Sequence, residues 1–205
     1  RSRTGGWEGR IAALEKGGTR ATLEAGGMRV SVDTADLEPA IGSGDGGVTI
    51  TDAHHRFICV EHPNKTEALV RELAADRGLA LVFVRTKHGA DRLARNLRKQ
   101  GFHAGELHGG MSQPQRERSL GRFATGANDV LVATDVAARG LDLEHITHVI
   151  NFDAPVDEKA YVHRVGRTAR AGRTGEGVTF VTPEQRFEVG RIAKTLGLDA
   201  EFVQA

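Results

Sequence analysis

From Val48 onward the chain alternates short apolar runs with amphipathic stretches, and that rhythm restricts the fold more than any other feature. Residues 79–84 are apolar throughout and bounded by turn residues, the pattern of a strand covered on both faces. Further strands are expected at 55–61, 103–107, 129–133, 147–152 and 177–181. The first intervening helix is expected to be capped by Asn64 with Glu67 as capping-box partner, to bury Leu69, Val70, Leu73 and Ala74, and to stop at Gly78. A basic amphipathic helix over 87–100 turns Ala90, Leu93, Ala94 and Leu97 inward and ends at Gly101. Another helix starts at Ser112 with Pro114 in its first turn, and two more are expected at about 157–169 and 184–196. Strands and helices alternating at this spacing imply a parallel sheet with helices on both faces and right-handed crossovers.

The first part of the chain reads differently. Eleven of the 26 glycines fall in residues 1–47. Ala21, Leu23 and Ala25 alternate with polar residues, as do Met28, Val30 and Val32, so residues 5–38 read as a small β-meander turned at Gly17-Gly18 and Gly26-Gly27. The composition of 40–47 is that of a flexible linker. The expected division is a β-meander or barrel-like module at 1–39, a linker at 40–47 and an α/β domain at 48–205.

Hydrophobic residues make up 39% and charged residues 27%, and the net charge of +1 is far from that of a disordered polyelectrolyte. No window is apolar enough to span a membrane, and with Arg1-Ser2-Arg3-Thr4 at its head no secretory leader is expected. The single Cys59 excludes an intramolecular disulfide and a cysteine-based zinc site. A cytoplasmic monomer without a bound metal of its own is expected.

In an open parallel sheet, ligands sit beyond the carboxyl ends of the strands. There the sequence places Arg85, Thr86 and Lys87; His108, Gly109, Gly110, Gln113 and Arg116; Thr134, Asp135 and Arg139; and Asp153. Hydroxyls, glycines and cations at four successive loops suit a phosphate backbone. Residues 85–99 carry six basic side chains against Asp91 alone, which fits either a polyanion or a solvated helix face. Residues 161–173 carry Arg164, Arg167, Arg170 and Arg173 and no acid. On a continuous helix His163, Arg167 and Arg170 would share one face, and that face is expected at the same edge as the four loops. Guanidinium groups cannot deprotonate, so such a face calls for an anion.

These segments also carry a likeness. Leu81-Val82-Phe83-Val84-Arg85-Thr86, Gln113-x-x-Arg116, Val132-Ala133-Thr134-Asp135-x-Ala137-Ala138-Arg139-Gly140-x-Asp142 and His163-Arg164-x-Gly166-Arg167-x-x-Arg170 stand in order. They resemble motifs IV, IVa, V and VI of the DEAD-box ATP-dependent RNA helicases, over about residues 50–200. The resemblance implies a RecA-like fold, the second of two such domains. It implies that Arg167 and Arg170 act as arginine fingers on the γ-phosphate of ATP, with Gly140 and Asp142 touching the nucleotide ribose or the fingers, and His163 linked to the motifs of the partner domain. Arg85, Thr86, Gly109, Gln113, Arg116, Thr134, Asp135 and Arg139 would hold RNA by its backbone, independent of sequence. Ala169 stands where many members have glycine, and its methyl group is expected to face the cleft. Residues 1–39 loosely resemble KOW- or Tudor-like barrels.

The sequence has no G-x-x-x-x-G-K-[ST] loop and no Asp-Glu-Ala-Asp. By the resemblance, these and the Mg2+ ion belong to the first RecA-like domain, so the chain by itself is expected not to hydrolyse ATP. Two other readings stay open: a stand-alone RNA-binding or regulatory module, and a DNA-directed relative.

Overall fold

The computed structural model describes residues 10–14, 19–25, 28–34, 53–139, 143, 145–169, 174–198 and 202–204. The chain divides into two compact units, residues 1–46 and 47–205. In the first, β1 (Arg10–Leu14), β2 (Arg20–Ala25) and β3 (Met28–Asp33) form an antiparallel sheet in the order β1-β2-β3. Ala25 pairs with Met28, the register expected for a two-residue turn. Gly17-Gly18, Gly26-Gly27 and the 40–47 linker lie outside the described residues.

The second unit is a seven-stranded sheet in which every pairing is parallel. It comprises β4 (Ala53–Cys59), β5 (Leu79–Phe83), β6 (Ala104–Leu107), β7 (Val130–Ala133), β8 (Ile146–Asn151), β9 (Gly175–Val181) and β10 (Phe202–Gln204), in the order β10-β4-β9-β8-β5-β7-β6. Helices α1 (Lys65–Ala74) and α2 (Lys87–Lys99) cover one face. Helices α3 (Gln113–Ala124), α4 (Asp135–Ala138), α5 (Glu158–Val165) and α6 (Arg186–Thr195) cover the other. The switch of face has one cause. The chain steps one way along the sheet through β4, β5 and β6 and then back through β7, β8, β9 and β10, and crossovers of constant hand must change face when the direction reverses.

Strand parity sorts the core. Ala80, Val82, Val130, Val132, Ile150 and Val178 pack under α1 and α2. Phe57, Leu81, Leu131, Val149 and Tyr161 pack on the other face. Each fully buried large side chain contributes about 1.5–3 kcal/mol. Gly101 ends α2 at φ +93°, where a side chain would be strained.

Four local expectations change, the simplest being Ala74, which is exposed at the end of α1 and not buried. Asn64 makes no side-chain cap, because a 3-10 turn over His62–Asn64 runs straight into α1 and the Asn64 backbone is already helical. Helix α1 ends at Ala74, before Gly78, whose N–H instead donates to Thr147 Oγ1 at 3.1 Å. The helix expected over 157–169 stops at Val165, where Gly166 caps it.

Candidate nucleic-acid interface and the segment after helix α5

The carboxyl ends of β5, β6, β7 and β8 form a rim on which most of the expected residues stand. Thr86 caps α2, its Oγ1 accepting from Gly89 N at 3.0 Å. Its hydroxyl proton is left for an outside acceptor, and the side chain is exposed. Arg85 is exposed, and its backbone N–H donates to Asp153 Oδ2 at 2.9 Å.

Beyond β6, the buried His108 lies 2.8 Å from Asp91 Oδ1 through Nε2, and its Nδ1 accepts from Gly110 N at 3.2 Å. That clasp fixes the turn at Gly109. A Cβ placed on Gly109 would meet nothing within 4 Å, so the surface there is open to a ligand. Helix α3 begins beside it, with Gln115 Oε1 accepting from the N–H and the hydroxyl of Ser112 at 2.8 and 3.0 Å. Gln113 donates to Glu117 at 2.8 Å. The half-buried Arg116 makes one long contact, 3.4 Å from Nη2 to the Ala137 carbonyl. Thr134 caps α4 without a side-chain cap bond, and Arg139 is exposed at the end of that helix.

Asp135 differs from its neighbours. Both of its carboxylate oxygens accept from Arg164, Oδ1 from Nε at 2.6 Å and Oδ2 from Nη2 at 2.8 Å. Arg164 Nη1 donates to Asn151 Oδ1 at 3.1 Å and to the Asp153 carbonyl at 2.6 Å, and its guanidinium lies over the Phe83 ring. Only 5% of the Arg164 side chain is exposed. The basic run of the sequence therefore contains a buried strut, which ties α5 to the starts of α4 and of the loop after β8.

A second strut stands beside it. Lys65 Nζ, on a side chain 6% exposed, donates to Asp153 Oδ1 at 2.8 Å and lies over the Phe152 ring. Burial pushes the Asp153 carboxyl up. The bond from Lys65, the Arg85 N–H and the charges of both residues outweigh burial and hold it below its ordinary range.

The segment after Val165 is not on this rim, although the Arg164 side chain reaches back to it. Helix α5 starts at the rim and runs back along the sheet. Thr168 Oγ1 donates to the carbonyl of Ile146, at the amino end of β8, at 2.6 Å. A Cβ on Gly175, which begins β9, would collide with Thr168 Oγ1. The amino and carboxyl ends of a six-residue strand lie about 16 Å apart. The expectation of a single edge is thus corrected: four loops gather at the carboxyl rim, and the segment after α5 comes down at the opposite end of β8 and β9.

The shared helical face is corrected with it, since Arg167 lies beyond the end of α5. Arg167 Nε donates to the His163 carbonyl at 3.2 Å, and His163 is exposed. Arg170, Gly140 and Asp142 lie outside the described residues. Ala169 takes a left-handed φ of +56° and is buried in the core under α5, so its methyl group does not face a cleft. Among the described residues no group of three or more metal-ligating side chains is placed to hold a metal ion.

Sequence reasoning singled out neither the Arg164 strut nor Lys65. Asp153 was visible as a residue after a strand, but nothing along the chain tells a buried arginine from the exposed ones around it.

Residues 64–172 match the helicase conserved C-terminal domain family. The chain is 44% identical over 149 residues to the DEAD-box ATP-dependent RNA helicase CshA of Bacillus subtilis, a match over 72% of this chain and 30% of that protein. It is 47% identical over 135 residues to the ATP-dependent rRNA helicase rrp3 of Emericella nidulans, covering 65% of this chain and 29% of the relative. The chain thus spans about three tenths of the length of the curated relatives it matches.

Among solved structures, the E. coli DEAD-box protein SrmB bound to regulator of ribonuclease activity A superposes with a TM-score of 0.69 at 35% identity, over 75% of this chain and 90% of that one. The C-terminal domain of the DEAD-box protein Dbp5 gives 0.68 at 31% identity, over 75% and 89%. S. cerevisiae Dbp5 bound to RNA and ADP BeF3 gives 0.66 at 31%, over 75% and 41%. The RecA-like sheet expected from the sequence is the fold these structures share.

Proposed function

Since this chain belongs to the helicase conserved C-terminal domain family, as the C-terminal RecA-like domain of a DEAD-box helicase, we propose that it serves as the RNA-gripping and ATP-sensing half of an ATP-dependent RNA-unwinding enzyme. The observation that carries this reading is the pair of separated sites joined by Arg164. The rim offers the Thr86 hydroxyl, the open Gly109 turn, and the Arg116 and Arg139 guanidinium groups to an RNA backbone. Contacts of this kind read phosphate and sugar and not base edges, which makes binding independent of sequence. The segment after α5 offers Arg167, with Arg170 three residues on, to a triphosphate held on a first RecA-like lobe. A cation placed there stabilises charge that develops on the transferred phosphoryl group.

Arg164 gives the two sites a common frame. It grips the first residue of α4, next to Thr134, from the helix that leads to Arg167. RNA that moves α4 pulls on the base of the finger segment, and nucleotide that seats Arg167 loads α4. Asp135, expected to hold RNA, acts in this reading as the anchor of that linkage. Gly140 and Asp142 would complete the nucleotide side. Mg2+ and the attacking water would be held by the first lobe, and this chain's contribution is the cation at the phosphate.

The test supplies a separately made first lobe with RNA and ATP. RNA-stimulated hydrolysis is expected to appear only with both parts present, and Arg167→Gln is expected to reduce it about a thousandfold while RNA affinity stays within twofold. Hydrolysis by the chain alone, or turnover unchanged by Arg167→Gln, overturns the assignment.

A further inference from the structure

Helices α2 and α3 both begin at the rim and run down either side of the edge strand β6. Their outward residues are strongly basic. His88, Arg92, Arg95 and Lys99 follow one another at spacings of four, three and four, which aligns them along one stripe of α2, and all four are exposed. On α3, Arg118 is exposed and Arg122 donates to Asn128 Oδ1 at 3.3 Å. Arg98, Arg118 and Arg122 line a cleft of about 340 Å3 against β6, with Glu106, Gln115 and Ser119.

The acids of α2 and β6 are already engaged. Asp91, the one acid of α2, lies 2.8 Å from His108 Nε2, and Glu106 accepts from Arg98 at 2.6 Å. Among the described residues, Arg92, Arg95, Lys99 and Arg118 stand in no ion pair. Like charges at helical spacing repel one another, so the stripe works against α2 unless an external anion offsets it. Elsewhere on the same domain some cations are matched, Arg56 by Glu72, Arg71 by Glu67 and Arg191 by Glu158, while Lys159, Arg186 and Lys194 are exposed singly and form no stripe.

We propose that this flank is a second RNA-binding surface, a track on which the strand leaving the rim continues past the β6 edge along α2 and α3. The proposal rests on the RNA reading of the rim. Its occupant follows from continuity and charge: Thr86 at the start of α2 is a rim residue, and Lys99 lies about 20 Å further along the same helix. A polyanion crossing Thr86 thus meets along α2 a stripe of cations whose one acid, Asp91, is turned to His108, and on α3 a single exposed carboxylate, Glu117, held by Gln113. The track exposes no Phe, Tyr or Trp on α2, and His88 at its head is the one ring there, so most of its length holds phosphates without stacking bases.

The experiment measures binding of the full chain to an RNA hexamer and to an RNA 20-mer across a salt series. The triple variant Arg92→Gln, Arg95→Gln, Lys99→Gln is compared with Arg116→Gln, with circular dichroism to confirm that both stay folded. The triple variant is expected to weaken the 20-mer at least about tenfold and to reduce its salt slope by about two, while leaving the hexamer unchanged. Arg116→Gln is expected to weaken both RNAs. If Arg116→Gln weakens both RNAs but the triple variant leaves the 20-mer unchanged, the track is overturned and the rim stands. If neither variant affects either RNA, the RNA reading itself fails. If the triple variant weakens hexamer and 20-mer equally, the cations act as a general field and the track is overturned.

Discussion

The carboxyl rim and the segment after α5 sit at opposite ends of the same strands and are built in opposite ways. At the rim, the scaffold is buried and the working groups are exposed: Thr86, Gly109 and Arg139 stand in solvent above the Arg164–Asp135 and Lys65–Asp153 struts. After α5, the backbone itself is pinned, with Thr168 and Ala169 buried and a threonine hydroxyl bonded to the carbonyl that starts β8. The first arrangement suits a ligand that arrives by many weak backbone contacts. The second suits one cation that must be held in a fixed place. Arg164 is the residue that belongs to both.

Breaking that shared residue has the largest expected effect. Arg164→Met leaves the Asp135 carboxylate half-buried without its partner and is expected to cost about 3–5 kcal/mol in urea unfolding. Arg164→Lys keeps the charge but loses the fork, and is expected to recover part of the stability without restoring coupling between RNA and nucleotide. A stability loss below about 1 kcal/mol for Arg164→Met would mean the strut holds nothing.

The neighbouring strut sharpens the comparison through pH. Asp153→Asn leaves the buried Lys65 ammonium without its carboxylate and is expected to cost about 1–3 kcal/mol at pH 7. The sign of the pH effect follows from the direction of the shift. The Asp153 carboxyl titrates lower in the folded state than its ordinary value of 3.8. Its contribution is therefore complete above that value and is lost as pH falls through the folded value. Unfolding free energies between pH 7 and pH 3 are expected to drop more steeply for the parent chain than for Asp153→Asn, and parallel curves would remove the ion pair from the account.

The smallest effect on the fold is expected at Gly109. A methyl group there meets no neighbour, so Gly109→Ala is expected to leave stability within about 0.5 kcal/mol while weakening RNA binding several-fold. Unchanged affinity would place the RNA elsewhere on the rim.

The sheet was legible in the sequence because strands buried on both faces must be apolar throughout, and residues 80–84 are buried to the last side chain. The rim followed from knowing where such sheets bind ligands. The separation of the two sites was not legible. Spacing showed His163, Arg167 and Arg170 at helical intervals, but intervals do not reveal that the backbone leaves the helix at Gly166. Burial of Arg164 depends on Asp135, 29 residues earlier, and on Asn151, neither of which periodicity connects to it. The four-residue α4 and three-residue β10 are too short to carry a period at all.

Hydrogen–deuterium exchange with and without a single-stranded RNA, in the absence of nucleotide, tests the division of labour most directly. The largest protection is predicted at amides 85–89, 108–116 and 134–139, with little change at 166–169 and at the amino ends of β4, β8 and β9. Protection concentrated at those amino ends, with the carboxyl rim unchanged, would contradict it.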